Sequence, residues 1–311
     1  MKVVQIGTGG WGKNHTRILS QLGVLSAVCD ANKERSKEYA NKYSVNSYES
    51  VDALLDSETF DAAFICTPTS THFQIASKLI QKKKNVFVEK PLTYHSEEGE
   101  DLLNLAKKNN VLLTCGYIER FNPAVGLVKD YVKTKKYGEL VMLEFHRENR
   151  MPIHIKDVGI IYDTSVHDID TAMWLFDDTP EVVFARAGSI NHEYEDFASI
   201  MLGFKDNKVA IISSNWITPT RVRNFNAVCT EGIISSDFIS QEVRIETKND
   251  TEIPRHEIQE PLLLEIQNFL GAVEGKNELI VKPEQAVNVT KIAEASLLSS
   301  QKGTPIYLEL K

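Results

Sequence analysis

Residues 3–12 read Val3-Val4-Gln5-Ile6-Gly7-Thr8-Gly9-Gly10-Trp11-Gly12. A short apolar run ends in G-x-G-x-x-G, and a helical pattern over 11–22 follows it. Glycine-rich turns are common, but this one lies between a strand and a helix, the context that gives the pattern meaning. Gly7 allows the tight turn, Gly9 lets the backbone approach a pyrophosphate, and Gly12 lets the helix pack close to the sheet. An anion would then rest on free N–H groups at the helix N-terminus, which adds Thr8, Gly10 and Trp11 to the candidate cofactor contacts. Asp30 ends the next apolar run, 18 residues past Gly12. That is close to the spacing of the acid that grips a ribose 2′-hydroxyl. Its charge would repel a 2′-phosphate, so NAD is expected in preference to NADP. Lys33 and Arg35, close behind, soften that preference.

The alternation continues outward from this stretch. Apolar runs over 24–29, 62–66, 86–88 and 111–114 are separated by helical patterns over 33–43, 71–83 and 96–109. The runs are short and do not alternate, as expected for parallel strands covered on both faces. Strands joined by such helices predict right-handed βαβ units and a doubly wound parallel sheet, a Rossmann domain. After Gly116 the pattern changes. A helix over 122–135 leads into strand-like stretches over 140–146, 181–187, 198–204, 209–216, 226–229 and 243–246. A helical pattern over 160–176 interrupts them, and helices over 261–273 and 283–300 precede a last strand-like 306–308. Strands without intervening helices predict an open, largely antiparallel sheet with helices on one face. The expected fold class is α/β, with a Rossmann domain over 1–120 and an α+β domain over 121–311.

The whole chain agrees with this picture. Its 311 residues suit two domains. Apolar residues make up 42% and charged residues 25%, which argues against disorder. A net charge of −8 argues against a broad nucleic-acid binder, which needs a basic face. No apolar run approaches the ~20 residues of a membrane span, and no secretory h-region is present. Cys29, Cys66, Cys115 and Cys229 are far apart, so neither a disulfide framework nor a metal site is expected. The expected compartment is the cytoplasm.

Two further strand ends carry chemistry. Thr67, Pro68 and His72 follow the run over 62–66, and Glu89-Lys90-Pro91 follows the run over 86–88. Ligands of open α/β sheets bind outside the carboxyl ends of the strands, so both turns are candidates for the cofactor cleft. His72 reads equally well as a helix-start residue with no ligand. A lysine locked by Pro91 at a strand end is desolvated there, which suits it to exchange a proton with a substrate hydroxyl. Farther on, Asp163, His167 and Asp170 stand at i, i+4 and i+7, and Trp174 continues the stripe. A carboxylate one turn from an imidazole orients it and stabilises its protonated form. A solvated row of charges fits the spacing equally well.

The glycine fingerprint, Glu89-Lys90-Pro91 and Asp163-x-x-x-His167 together resemble the Gfo/Idh/MocA family of sugar and polyol dehydrogenases, over the whole chain. The resemblance implies that Lys90 and His167 face the substrate hydroxyl beside the nicotinamide, with Asp163 alongside. It implies that Thr67, Pro68 and Glu89 border the cofactor and that Lys90–Pro91 is a candidate cis peptide. It further implies a homodimer or homotetramer built on the open sheet. Gly116-Tyr117-Ile118-Glu119-Arg120-Phe121-Asn122-Pro123-Ala124 and Ile155-Lys156-Asp157-Val158-Gly159-Ile160 resemble the UDP-N-acetylglucosamine 3-dehydrogenase branch. That branch oxidises the sugar C3 hydroxyl to a 3-keto nucleotide sugar. The loop expected over 146–156 is locally basic, and a diphosphate needs cationic partners. A solvated loop or an oligomer contact fits it as well, and Arg221 with Arg223 form a second, weaker pair. Tyr117, Arg120, Arg147, Arg150 and Asp170 are therefore the candidate substrate contacts. The competing expectations are an inositol or free-polyol dehydrogenase and a non-catalytic NAD-binding regulator. The regulator's mark would be a replaced lysine or histidine, and both residues are present.

Overall fold

A computed structural model describes residues 1–152, 155 and 157–310. Every residue of β1 (Val3–Ile6) is buried, and parallel strands flank it on both sides: β2 (Leu25–Cys29) and β4 (Ala62–Ile65). With β3 (Asn46–Tyr48), β5 (Asn85–Glu89) and β6 (Leu113–Gly116) they form a six-stranded sheet in the order β3-β2-β1-β4-β5-β6. Helices α1 (Gly12–Gln21), α2 (Lys33–Tyr43), α3 (Val51–Ser57), α4 (His72–Gln81) and α5 (Ser96–Asn109) connect the strands. Asn32 and Ser50 cap α2 and α3 by accepting from the N–H groups of Arg35 and Ala53. Strand order reverses between β1 and β4, the switch point at which such sheets bind ligands. The strand β3 and helix α3 fall outside the sequence expectation, because Asn46-Ser47-Tyr48 is a short, half-exposed edge with no apolar run.

The chain divides into two units, Met1–Gly116 with Leu262–Val287, and Tyr117–Pro261 with Asn288–Lys311. The first crossing falls near the expected boundary, whereas the return of 262–287 to the first unit differs from the expected division. Its cause is a stripe on α8 (Pro261–Val273), where Leu262, Ile266, Phe269 and Leu270 are buried. Phe269 meets Phe64 edge-on at 5.2 Å and Phe87 at 5.7 Å, covering rings that the parallel strands would otherwise expose.

The second unit is a nine-stranded sheet in the order β14-β13-β12-β11-β7-β10-β9-β8-β15. Its strands are β7 (Leu140–Glu148), β8 (Val182–Gly188), β9 (Phe197–Gly203), β10 (Val209–Asn215) and β11 (Val222–Cys229). They continue with β12 (Gly232–Asp237), β13 (Val243–Thr247), β14 (Thr251–Glu252) and β15 (Ile306–Tyr307). β7 and β10 pair parallel, and the other neighbours pair antiparallel. Alternation divides its two faces: Ala198, Ile200, Leu202, Ala210 and Ile212 are buried, while Phe197, Met201 and Ile211 are exposed. Helices α6 (Pro123–Thr134) and α7 (Val166–Phe176) pack on the buried side. A π-turn, Ile161–Ser165, precedes α7 inside the segment expected as one α-helix. β11 begins four residues earlier than expected, because Arg223 and Asn224 hide its alternation. No helix among the described residues is long and apolar enough to cross a membrane.

Candidate active site

In the first unit the fingerprint turn is crowded from beneath. Gly7 has φ of 81°, and a Cβ there would stand 2.3 Å from the Cys66 carbonyl oxygen. A Cβ on Gly12 would meet the Gly7 carbonyl oxygen at 2.0 Å. Both positions therefore demand glycine, and the bare backbone leaves a cradle that fits a dinucleotide pyrophosphate. Asp30, at the end of β2, is buried and accepts hydrogen bonds from the backbone N–H and the hydroxyl of Thr8, each 2.9 Å. Its other oxygen accepts from the Asn32 N–H at 2.9 Å. This network fixes the Asp30 carboxylate against the turn. The Arg35 guanidinium stands 3.7 Å from the Asp30 carboxylate and lies where a Cβ on Gly9 would collide with it, at 2.4 Å.

Glu89 links the next two elements. Its carboxylate contacts His15 Nε2 at 2.7 Å and accepts from the backbone N–H of Lys90 at 3.1 Å. A Cβ on Gly116 would come within 3.2 Å of that carboxylate, so the glycine leaves room for it. The Lys90–Pro91 peptide is cis. Cys66 Sγ joins His15 and Glu89, the three ligand atoms lying within 4.8 Å of one another. Ligands around a tetrahedral zinc at ~2.0–2.1 Å stand about 3.3 Å apart, so the His15–Glu89 contact is a hydrogen bond rather than a pair of metal ligands. Burial, reinforced by the Glu89 charge, also pushes the Cys66 thiol well above its ordinary range, which keeps it neutral.

His72 does not fit the role of cofactor contact. It is 1% exposed, with Nδ1 2.9 Å from the Pro91 carbonyl and Nε2 3.0 Å from the Thr67 carbonyl. The ring braces the turn carrying Lys90 against the turn carrying Thr67 and Pro68. In that second turn, Thr71 Oγ1 donates to the Pro68 carbonyl at 2.7 Å and contacts Thr67 Oγ1 at 2.8 Å.

In the second unit, Asp163, Thr164 and His167 are half-buried on a segment whose other residues over 158–173 are buried. The segment is anchored at its start, where Glu195 accepts from the N–H of Ile160 at 2.8 Å through its carbonyl and from that of Ile161 at 3.2 Å through its carboxylate. A Cβ on Gly159 would be 2.1 Å from that carboxylate. Burial raises the Glu195 carboxyl above its ordinary value. Farther along, Thr164 donates to Asp163 at 3.1 Å and accepts from Trp216 Nε1 at 3.2 Å, and Ser165 bonds to Ser214 of β10 at 3.0 Å. The Tyr117 ring, fully buried, meets the His167 ring edge-on at 6.5 Å. Tyr117 thus shapes the surroundings of the imidazole.

Asp170 departs from the expected stripe. It is fully buried and receives Arg120 Nε at 2.8 Å and a terminal guanidinium nitrogen at 2.7 Å. The π-turn explains the departure: a wider turn between Asp163 and His167 shifts the phase that uniform α-helical spacing assumes. Arg120 and Asp170 therefore bind each other. Arg147 departs likewise. It lies in β7 rather than in a loop, and it is buried with three guanidinium–carboxylate contacts of 2.7–3.1 Å to Asp168 and one of 3.0 Å to Glu119. Burial raises both the Asp168 and the Asp170 carboxyl, opposed in each by its arginine. Arg150 keeps an exposed position and donates to the Pro219 carbonyl at 2.9 Å. His154 and Lys156, the other cations of the expected loop, lie outside the described residues.

Several supporting residues escape sequence reasoning. His15 stands one turn past Gly12, a local signal that could have paired it with the strand-end Glu89. Glu119, Asp168 and Glu195 act through contacts distant in sequence, for which spacing carries no signal.

Known proteins match this arrangement across the chain. Residues 1–117 match the Gfo/Idh/MocA oxidoreductase family, NAD-binding Rossmann fold, and residues 125–235 match the family's C-terminal domain. The chain is 28% identical over 283 residues to the UDP-N-acetylglucosamine 3-dehydrogenase of Acidithiobacillus ferrooxidans, covering 88% of each. It is 26% identical to the inositol 2-dehydrogenase of Rhizobium meliloti, covering 94% of this chain and 95% of that one. A solved structure of the Acidithiobacillus ferrooxidans enzyme superposes with a TM-score of 0.89 at 26% identity, over 97% of this chain and 98% of that one. With the glycine cradle, the strand-end lysine and the Asp–His segment all in place, the chain belongs to the Gfo/Idh/MocA family of NAD-binding oxidoreductases.

Proposed function

We propose that the protein is an NAD-dependent dehydrogenase that oxidises the C3 hydroxyl of UDP-N-acetylglucosamine to the 3-keto nucleotide sugar. One observation carries the reading: Asp163 and His167, with Thr164 beside them, are only half-buried, while the other residues over 158–173 are buried. Buried polar networks favour a satisfied interior, so a carboxylate and an imidazole left accessible one turn apart are suited to a ligand. The similarity to a UDP-N-acetylglucosamine 3-dehydrogenase supports the choice of sugar.

The turn over 7–12, with Thr8, Gly10 and Trp11, receives the pyrophosphate, and Asp30 holds the ribose hydroxyls. Thr67, Pro68 and Glu89 border the cofactor. NAD supplies the acceptor for the hydrogen removed with its electron pair from the carbinol carbon. Lys90 and His167 are the two groups that take up the hydroxyl proton in this reading, and Asp163 orients the imidazole. Glu89 holds the backbone of Lys90, and Tyr117 walls the imidazole. The half-exposed Met201 and Ile211 on the open sheet face supply an apolar surface for a homodimer or homotetramer.

NADH formation with UDP-N-acetylglucosamine and with myo-inositol tests the reading. Lys90→Met and His167→Asn each abolish turnover while NAD binding stays within about threefold of wild type, since neither group carries the pyrophosphate. Reduction with myo-inositol alone selects the polyol reading, for which the similarity to an inositol 2-dehydrogenase is the support. NAD binding without reduction by any sugar selects the regulator.

A further inference from the structure

Arg223 of β11 stands opposite Arg147 of β7, one inward-facing pair beyond the stacked rings of Phe145 and Phe225. The two arginines have opposite fates. Arg147 is saturated by Asp168 and Glu119. Arg223 has Nε sealed from solvent with no acceptor, and no described carboxylate comes within ion-pair distance of its guanidinium. A guanidinium presents five N–H donors in a planar fork, and a largely buried one without acceptors is costly to the folded chain. Burial first, then the neighbouring Arg147 and Arg221, drive the Arg223 guanidinium down to about 10. Glu119 and Asp168 pull in the other direction and do not prevail. The protein thus confines a cation beside two other cations without completing its hydrogen bonds.

That arrangement has a use if a ligand supplies the acceptors. Asp168, which anchors Arg147, follows His167 directly in sequence, so the arginine pair and the imidazole share one local framework. We propose that Arg223 recognises an oxyanion of the substrate, a diphosphate or a carboxylate, by a forked guanidinium contact, with the exposed Arg221 adding positive charge at the start of the strand. The identity of the substrate rests on the reading above, whereas the oxyanion site rests on β11 and its neighbours alone. Diphosphate and carboxylate each present a pair of oxygens on one atom that a guanidinium binds bidentately.

The test uses the full chain, with UDP as the diphosphate probe, glucuronate as the carboxylate probe and N-acetylglucosamine as the neutral control. Binding is read by calorimetry and folding by thermal midpoint. Arg223→Gln is expected to weaken the recognised oxyanion by about ten- to a hundred-fold, the loss of a charged hydrogen-bonded contact. Its midpoint should equal or exceed that of wild type, because an unsatisfied buried cation has gone. Arg223→Lys, which keeps the charge but not the fork, should fall between the two. Weakening of UDP identifies a diphosphate site, and weakening of glucuronate alone identifies a carboxylate site. Unchanged affinity for both probes in Arg223→Gln overturns the proposal. So does a lowered midpoint with unchanged affinity, which marks a structural arginine. Failure of every sugar to reduce NAD, with UDP affinity still dependent on Arg223, would remove the dehydrogenase reading and leave the oxyanion site standing.

Discussion

Replacing Arg147 by Met removes every guanidinium contact to Asp168 and Glu119, both of them buried, while roughly conserving volume. Breaking a buried ion pair from one side costs about 3–5 kcal/mol, because the remaining charge has lost its counter-ion. Against a typical total of ~5–15 kcal/mol, that is about a fifth of the stability of an ordinary domain at the least, and all of it at the most. The pH dependence has a definite sign. The Asp168 carboxyl already lies above its ordinary value through burial, and the arginine is what opposes the rise. Without Arg147 it rises further, so the folded chain binds this proton more tightly than the unfolded one. Acidification then favours folding at this site, and the deficit of the variant should shrink as the pH falls below its further-raised carboxyl value, by up to ~1.4 kcal/mol per pH unit, until the wild-type carboxyl protonates as well. Arg147→Met/Asp168→Asn should recover part of the loss at neutral pH by removing one of the stranded charges. Urea unfolding followed by tryptophan fluorescence measures this, since Trp174 and Trp216 both lie in the second unit. A deficit under about 1 kcal/mol, or one that grows on acidification, would refute the account of Arg147 as a buried counter-ion.

Three other perturbations probe separate parts of the structure. Gly7→Ala places a methyl group 2.3 Å from the Cys66 carbonyl at a backbone φ of 81°, so NAD affinity measured by fluorescence quenching should fall at least about tenfold. Asp30→Ser removes the charge that faces a 2′-phosphate and leaves Arg35 3.7 Å away from that carboxylate's place; the NADP-to-NAD ratio of kcat/KM should rise about tenfold or more. Ile211→Glu puts a charge on the open sheet face, where Ile211 is 41% exposed beside Met201. Light scattering should report a smaller particle than wild type, and an unchanged mass would show that this face is no subunit contact.

How far the sequence reveals this molecule depends on the range of each interaction. Residues 3–12 identify themselves because a strand, a tight turn and a helix start are adjacent, and Gly12 meets the Gly7 carbonyl within the same turn. Glu89-Lys90-Pro91 is legible for the same reason. The return of 262–287 is not, because the apolar stripe on α8 does not say which sheet it covers, and only Phe64 and Phe87 decide that. Arg147 reads as part of a basic loop until the parity of Leu143, Phe145 and Arg147 on β7 is known; that parity turns it inward to Asp168. Asp170 reads as a member of the Asp163–His167 stripe until the π-turn shifts the phase and delivers it to Arg120. His72 is the most compact case: its position after a strand-end turn suits a ligand, and the ring nevertheless closes on Pro91 and Thr67.

The central claim concerns one hydrogen. UDP-N-acetylglucosamine deuterated at C3 of the sugar, incubated with the enzyme and NAD, carries its label at the atom the proposed reaction removes. The account predicts deuterium in the reduced cofactor by mass spectrometry, with the label absent when Lys90→Met or His167→Asn replaces wild type. Reduced cofactor that forms without deuterium, or equal labelling in either variant, would contradict it.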